Sequence, residues 1–138
     1  KIIKNDFKQL LKKPSLMFNE CTIRDHFNLF HGNYFIEEAI NLLDKNIKND
    51  FEKYLDNREF NPHNLFICKN NLLIKRYYQN VFEWLFKCEK KFENLKLDTF
   101  GKKRIYGFLA ERFLSYWLRK YTRFATLPII FTDISELN

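Results

Sequence analysis

Between Asn71 and Asn94 apolar residues recur at alternating intervals of four and three: Ile74, Tyr78, Val81, Leu85, Cys88 and Phe92, with Leu95 just beyond. That period fits one side of an α-helix and not a strand, whose side chains alternate every two residues. The opposite side carries Lys75, Gln79, Glu83 and Lys90, so the helix is amphipathic. So short a heptad run, with aromatic rings in its seam, reads as a long helix packed on a domain core rather than as a coiled coil. A second helix is predicted from Lys103 to Arg123, with Ile105, Phe108, Leu109, Phe113, Tyr116 and Trp117 on its apolar side. The fold must cover both faces, and 16 Phe residues supply the rings to do it.

Shorter elements surround these two. Asn5-Asp6 can cap a helix carrying Phe7, Leu10 and Leu11 that stops at Lys12-Lys13-Pro14. Thr22 with Asp25 three residues on resembles a capping box; Ile23, His26, Phe27 and Phe30 then share a face, and Gly32 stands where a helix-ending glycine belongs. Asn33 is expected to cap the next helix, whose buried face is Ile36, Ala39, Ile40 and Leu43, and Asn49-Asp50 to open another with Phe51, Tyr54 and Leu55. Asn61-Pro62-His63-Asn64 is turn chemistry, and Leu65 to Cys68 reads as a short buried strand. Thr99-Phe100-Gly101 breaks the chain before the second long helix. Leu127-Pro128-Ile129-Ile130-Phe131 reads as an edge strand. The fold class is therefore α+β and predominantly helical, about six helices with two short strands in one domain or domain fragment over residues 1–138.

Several function classes fall away. No stretch reaches the roughly 20 apolar residues that span a bilayer, and no secretory signal opens the chain. Cys21, Cys68 and Cys88 are odd in number and show no CxxC spacing, which argues for buried free thiols in a reducing compartment rather than a disulfide or zinc framework. The net charge of +7 favours anionic surfaces, but Lys and Arg come in dispersed pairs and triplets, so nucleic acid is not an expected partner. The charge, the thiols and the lack of a span point to the cytoplasm, with peripheral association at an anionic inner membrane face. No GxGxxG, phosphate-binding GKS/T loop, GxSxG or DxD pattern occurs, and no metal site is indicated.

Glu111 and Arg112 interrupt an otherwise apolar helix between Gly107-Phe108-Leu109-Ala110 and Phe113-Leu114. Positions three and four from Glu111 hold no cation, so it has no partner at helical spacing. Two readings stand side by side: a solvated stripe with Arg104, Ser115 and Arg119, or a carboxylate held on a rigid helix at a cleft wall and aimed at a substrate hydroxyl. His63 and Asn64 either make the turn or present a side chain to a ligand, and an amide that both donates and accepts suits a sugar hydroxyl. His31, beside Gly32, suits a helix C-terminus, and His26 reads as a packed core histidine.

Asn64-Leu65-Phe66-Ile67-Cys68, then Phe82-Glu83-Trp84-Leu85-Phe86, then Gly107 to Leu114 with Trp117, resembles a bacterial family catalogued as domain of unknown function 4422. That family reads approximately NMFIM, a C-x-WLF helix and GFLxERLLxxW, and Thr22-Ile23-Arg24-Asp25 with His31 is similar to its TVYDxY…H segment. The likeness spans most of residues 1–131, although Tyr34-Phe35-Ile36 departs from the Asp that usually follows the family histidine. It implies the C-terminal, acceptor-side half of a GT-A-like glycosyltransferase of capsule, lipopolysaccharide or other surface-polysaccharide assembly. The nucleotide-binding half would lie upstream, and residues 1–138 alone would be inactive. A nucleotide-sugar donor and a glycan acceptor are then the expected ligands, with any divalent metal held mainly by the upstream part. By the same resemblance Glu111 is the catalytic residue and Asn64 meets the transferred sugar; His63, Arg112 and His31 are further substrate-binding candidates, Arg112 to orient Glu111 or counter a phosphate. The competing class is a basic helical module that docks on an anionic membrane or on nucleic acid.

Overall fold

A computed structural model describes residues 16–17 and 21–127. Within them run β1 (Leu16–Met17), α1 (Ile23–His31), α2 (Asn33–Asn41), α3 (Lys45–Leu55), β2 (Glu59–Phe60), α4 (Asn71–Phe92), α5 (Phe100–Lys103) and α6 (Ile105–Tyr121). The protein is predominantly helical, as expected. The helix predicted around Phe7 to Leu11 lies outside the described residues, as does the 128–131 part of the last predicted strand.

Helix α1 starts as its sequence dictates. The Thr22 hydroxyl accepts from the Asp25 N–H at 3.1 Å, and the Asp25 carboxylate accepts from the Thr22 N–H at 3.1 Å. Gly32, at φ 82°, ends α1 and also stands at the start of α2. Asn33 is therefore the first residue of α2 and not its cap; one glycine turns the chain between two helices. Phe35, Ile36, Ala39 and Ile40 point inward. Helix α3 begins a turn earlier than Asn49-Asp50 would suggest, because the Asp44 carbonyl already accepts from Ile47 and Lys48. Its Phe51, Tyr54 and Leu55 are buried as expected.

The predicted strand at Leu65 to Cys68 does not form. The only ladder among the described residues is antiparallel and pairs Leu16 with Phe60 and Met17 with Glu59. Residues 65–68 follow an irregular path in which Ile67 is 91% exposed. A four-residue apolar run becomes a strand only when another edge pairs with it, and none meets it among the described residues.

The two long helices pack together at the centre of the domain. Helix α4 turns Tyr77, Val81, Trp84, Cys88 and Phe92 inward, a face that shares only part of the predicted one. Trp84 decides the rotation: its indole N–H donates to the Ala39 carbonyl at 2.7 Å, and its ring lies against Phe51 and Phe113. Tyr78, Phe82 and Phe86 consequently form a ladder of stacked rings on the outside, with centroids 5.7 and 6.1 Å apart. On α6, Ile105, Leu109, Phe113, Tyr116 and Trp117 are buried, and the Trp117 N–H donates to Asn80 at 3.0 Å. All three cysteines are free, but only Cys88 is fully buried, which pushes its thiol up to about 12; Cys21 and Cys68 are half-buried. No helix among the described residues is long and apolar enough to cross a membrane.

Candidate functional site

Arg112 organises one corner of the domain, where α1, β2 and α6 meet. It is 2% exposed. One guanidinium nitrogen donates to the Glu111 carboxylate at 3.0 Å and to the Phe108 carbonyl at 3.2 Å. The other lies 2.9 Å from His26 Nδ1. Because a guanidinium can only donate, His26 must accept with a deprotonated Nδ1. The Phe60 and Phe27 rings face the guanidinium at 4.9 and 5.3 Å. Burial lowers Arg112 to about 10, still charged at neutral pH, with Glu111 opposing the shift. The solvated-stripe reading fails for Arg112 and for Ser115, whose hydroxyl is buried and accepts from the Asn61 N–H at 3.1 Å. The partner that Glu111 lacks at helical spacing is its own neighbour, reached by the long arginine side chain folding back.

Glu111 is at the rim of this corner, its side chain 16% exposed. Burial pushes its carboxyl above the usual value, against the opposing pull of Arg112, His63 and Arg104. The structure therefore brings His63 into the electrostatic reach of Glu111. His63 has φ 76°, a left-handed backbone that is uncommon for a non-glycine residue. Asn64 is exposed, and its amide donates to the Gly107 carbonyl at 3.1 Å, tying the 61–64 turn to the first turn of α6. Gly107 and Glu111 are four residues apart, so Asn64, Gly107 and Glu111 line one side of the helix.

His31 is brought to the same corner but behind it. It is 5% exposed, with ring centroids 4.4 Å from Phe108 and 4.6 Å from Phe27. It supports the wall from behind rather than lining its open side, and Arg112, equally enclosed, holds Glu111. Burial first, then the charges of Arg112 and His26, lower His31 to about 4. Between that value and 6.5 the folded protein binds fewer protons here than the unfolded chain. The stabilisation is complete above about pH 6.5 and fades as pH falls toward 4. Denaturation midpoints measured across that range should decline with acid, and His31→Phe should flatten the decline.

Gly101 lies not at a chain break, as Thr99-Phe100-Gly101 suggested, but inside the short helix α5 that Thr99 caps, where it lets α5 approach the end of α1. A Cβ there would lie 3.0 Å from both the Phe30 carbonyl oxygen and His31 Nδ1. Gly101→Ala is expected to lose about 1–3 kcal/mol by overpacking this contact, read as a lower melting temperature. No local signal announces the His26–Arg112 bond, which joins residues 86 apart in the chain. His26 does pack, as its apolar helix face implies, but it is also a polar partner.

No group of three or more His, Cys, Asp or Glu among the described residues could hold a metal ion. Residues 2–122 match the family described as a domain of unknown function (DUF4422). The chain belongs to that family. No curated protein and no solved structure matches it. The DUF4422 match covers both the α4 segment and the α6 segment whose motifs carried the resemblance, and it includes the whole Glu111 corner.

Proposed function

We propose that this DUF4422 chain forms the acceptor side of a GT-A-like glycosyltransferase, moving a sugar from a nucleotide-sugar donor to a growing surface glycan. The observation that carries this reading is Glu111: a carboxylate on a rigid helix, largely withdrawn from water, raised in pKa and fixed by Arg112. A general base works best when its pKa approaches the working pH, and partial burial supplies that shift. In an inverting transfer Glu111 takes the proton of the acceptor hydroxyl. The acceptor oxygen then bonds to the anomeric carbon, and the bond from that carbon to the donor phosphate breaks with its electron pair leaving on the nucleotide. Asn64 and His63 stand at the mouth of the corner, where they can meet sugar hydroxyls, and Arg112 positions the base.

Gly107 lends independent support. Nothing lies within 4 Å of the place its Cβ would occupy, so the fold itself does not require glycine there. Glycine inside a helix costs about 0.5–1 kcal/mol relative to alanine. A ligand passing between Asn64 and Glu111 accounts for that sacrifice. Gly107→Ala is accordingly expected to raise the melting temperature while weakening turnover of the complete protein. Equal or higher turnover in the more stable variant would remove the ligand from this face.

The exposed ladder of Tyr78, Phe82 and Phe86 favours a second role compatible with the first, peripheral docking at the inner face of a bacterial membrane. With a net charge of +7, binding to anionic vesicles should fall steeply with salt.

A further inference from the structure

Next to Glu111 the domain exposes rings that its core does not use. Phe100 is 72% and Phe30 61% exposed, far more than rings of a packed cluster. Their chain segments meet, since a Cβ on Gly101 would lie 3.0 Å from the Phe30 carbonyl oxygen. Between Phe100 and Phe108 lies Arg104, its guanidinium carbon 5.1 and 5.2 Å from the two ring centroids. Arg104 is exposed, and among the described residues its side chain makes no hydrogen bond or ion pair, its backbone bonding Gly101 and Phe108. Two rings thus hold a guanidinium in place while its N–H fork stays free, the arrangement that receives a carboxylate or phosphate with two parallel bonds. Arg104 stands just before α6, seven residues ahead of Glu111, and its charge acts on the Glu111 carboxyl; that separation leaves room for a sugar ring between the two groups.

We infer that this corner binds a pyranose carrying an anionic group. The apolar C–H face of the ring lies on Phe100 and Phe30, the anion on Arg104, and a free hydroxyl is presented to Glu111. This rests on the transferase reading and names its acceptor class. A lipid or an apolar helix would need a continuous greasy surface; here the rings are interrupted by a cationic fork and a carboxylate. A sugar matches that alternation, with one apolar face and a polar rim.

The test uses the complete protein and three probes followed by calorimetry or ligand-observed NMR: methyl β-D-glucuronide, glucose 6-phosphate and neutral methyl β-D-glucoside. One or both anionic sugars should bind about tenfold more tightly than the glucoside, the scale of a charge-assisted hydrogen bond, and their ranking tells carboxylate from phosphate. Phe100→Ala should weaken charged and neutral sugars alike, by roughly five- to tenfold. Arg104→Gln should weaken only the charged ones and erase the preference. Both residues are exposed, and unchanged circular dichroism and melting temperature would show the variants folded. Equal binding of charged and neutral probes, or dissociation constants unmoved by both substitutions, overturns the inference. Turnover with an acceptor KM unaffected by Phe100→Ala also overturns it while leaving the transferase reading intact. Anionic-sugar binding that depends on Phe100 and Arg104 in a protein without transferase activity supports the binding corner and removes the reaction instead.

Discussion

Glu111→Gln in the complete protein is expected to lower turnover of a nucleotide sugar by roughly 10²–10⁴-fold, the usual share of a general base. Glutamine keeps the shape and one acceptor oxygen for Arg112 but cannot take a proton. A carboxylate on a solvated stripe would tolerate the change within about 0.5 kcal/mol. Burial of Arg112 changes that expectation, because neutralising Glu111 leaves an enclosed cation without its nearest counter-charge. A loss of about 1–3 kcal/mol is expected, the range for a hydrogen bond to a charged group. Initial rates and thermal unfolding on one preparation separate the two effects, provided the rates are taken well below both transitions. A rate within twofold of the parent would take Glu111 out of the reaction.

Arg112→Ala is expected to lose about 3–5 kcal/mol, the scale of breaking a buried pair by removing one partner. The side chain fills the junction of α1, β2 and α6. Its removal takes the nearest counter-charge from the Glu111 carboxylate and the donor from His26 Nδ1. Arg112→Lys should recover little, because an ammonium cannot lie flat among Phe27, Phe60 and Phe108 while donating in two directions. Chemical denaturation midpoints would measure both variants. A loss below about 1 kcal/mol for Arg112→Ala would contradict its place as the centre of the corner.

Local rules located most of the helices and the polar pair that interrupts α6. Thr22, Asp25 and Gly32 announce α1 because caps satisfy backbone groups within a few residues of themselves. In the structure Asn70 caps α4 in the same way, its side-chain oxygen accepting from the Leu73 N–H. The buried positions of α6 follow from periodicity, since that helix has one apolar face to hide. Helix α4 has apolar residues around much of its circumference, so periodicity alone could not fix which side faces inward. Contact with Ala39, Phe51 and Phe113 chose Trp84 and left Tyr78 outside.

Residues 65–68 and Arg112 failed as local readings for a shared reason. A strand exists only with a hydrogen-bonding partner, and a charge is buried only where distant groups satisfy it. Local sequence sufficed for the helical class, the caps of α1, the apolar face of α6 and the presence of Glu111-Arg112 within it, because each depends on neighbours within a turn or two. Tertiary structure alone decided that Arg112 is enclosed, that His26 accepts from it, that His31 stands behind the wall, and that Phe30, Phe100 and Arg104 share one corner with Glu111. Those outcomes depend on α1 and α6 meeting across more than 70 residues of chain, a contact set by burial of the whole core and encoded at no single position.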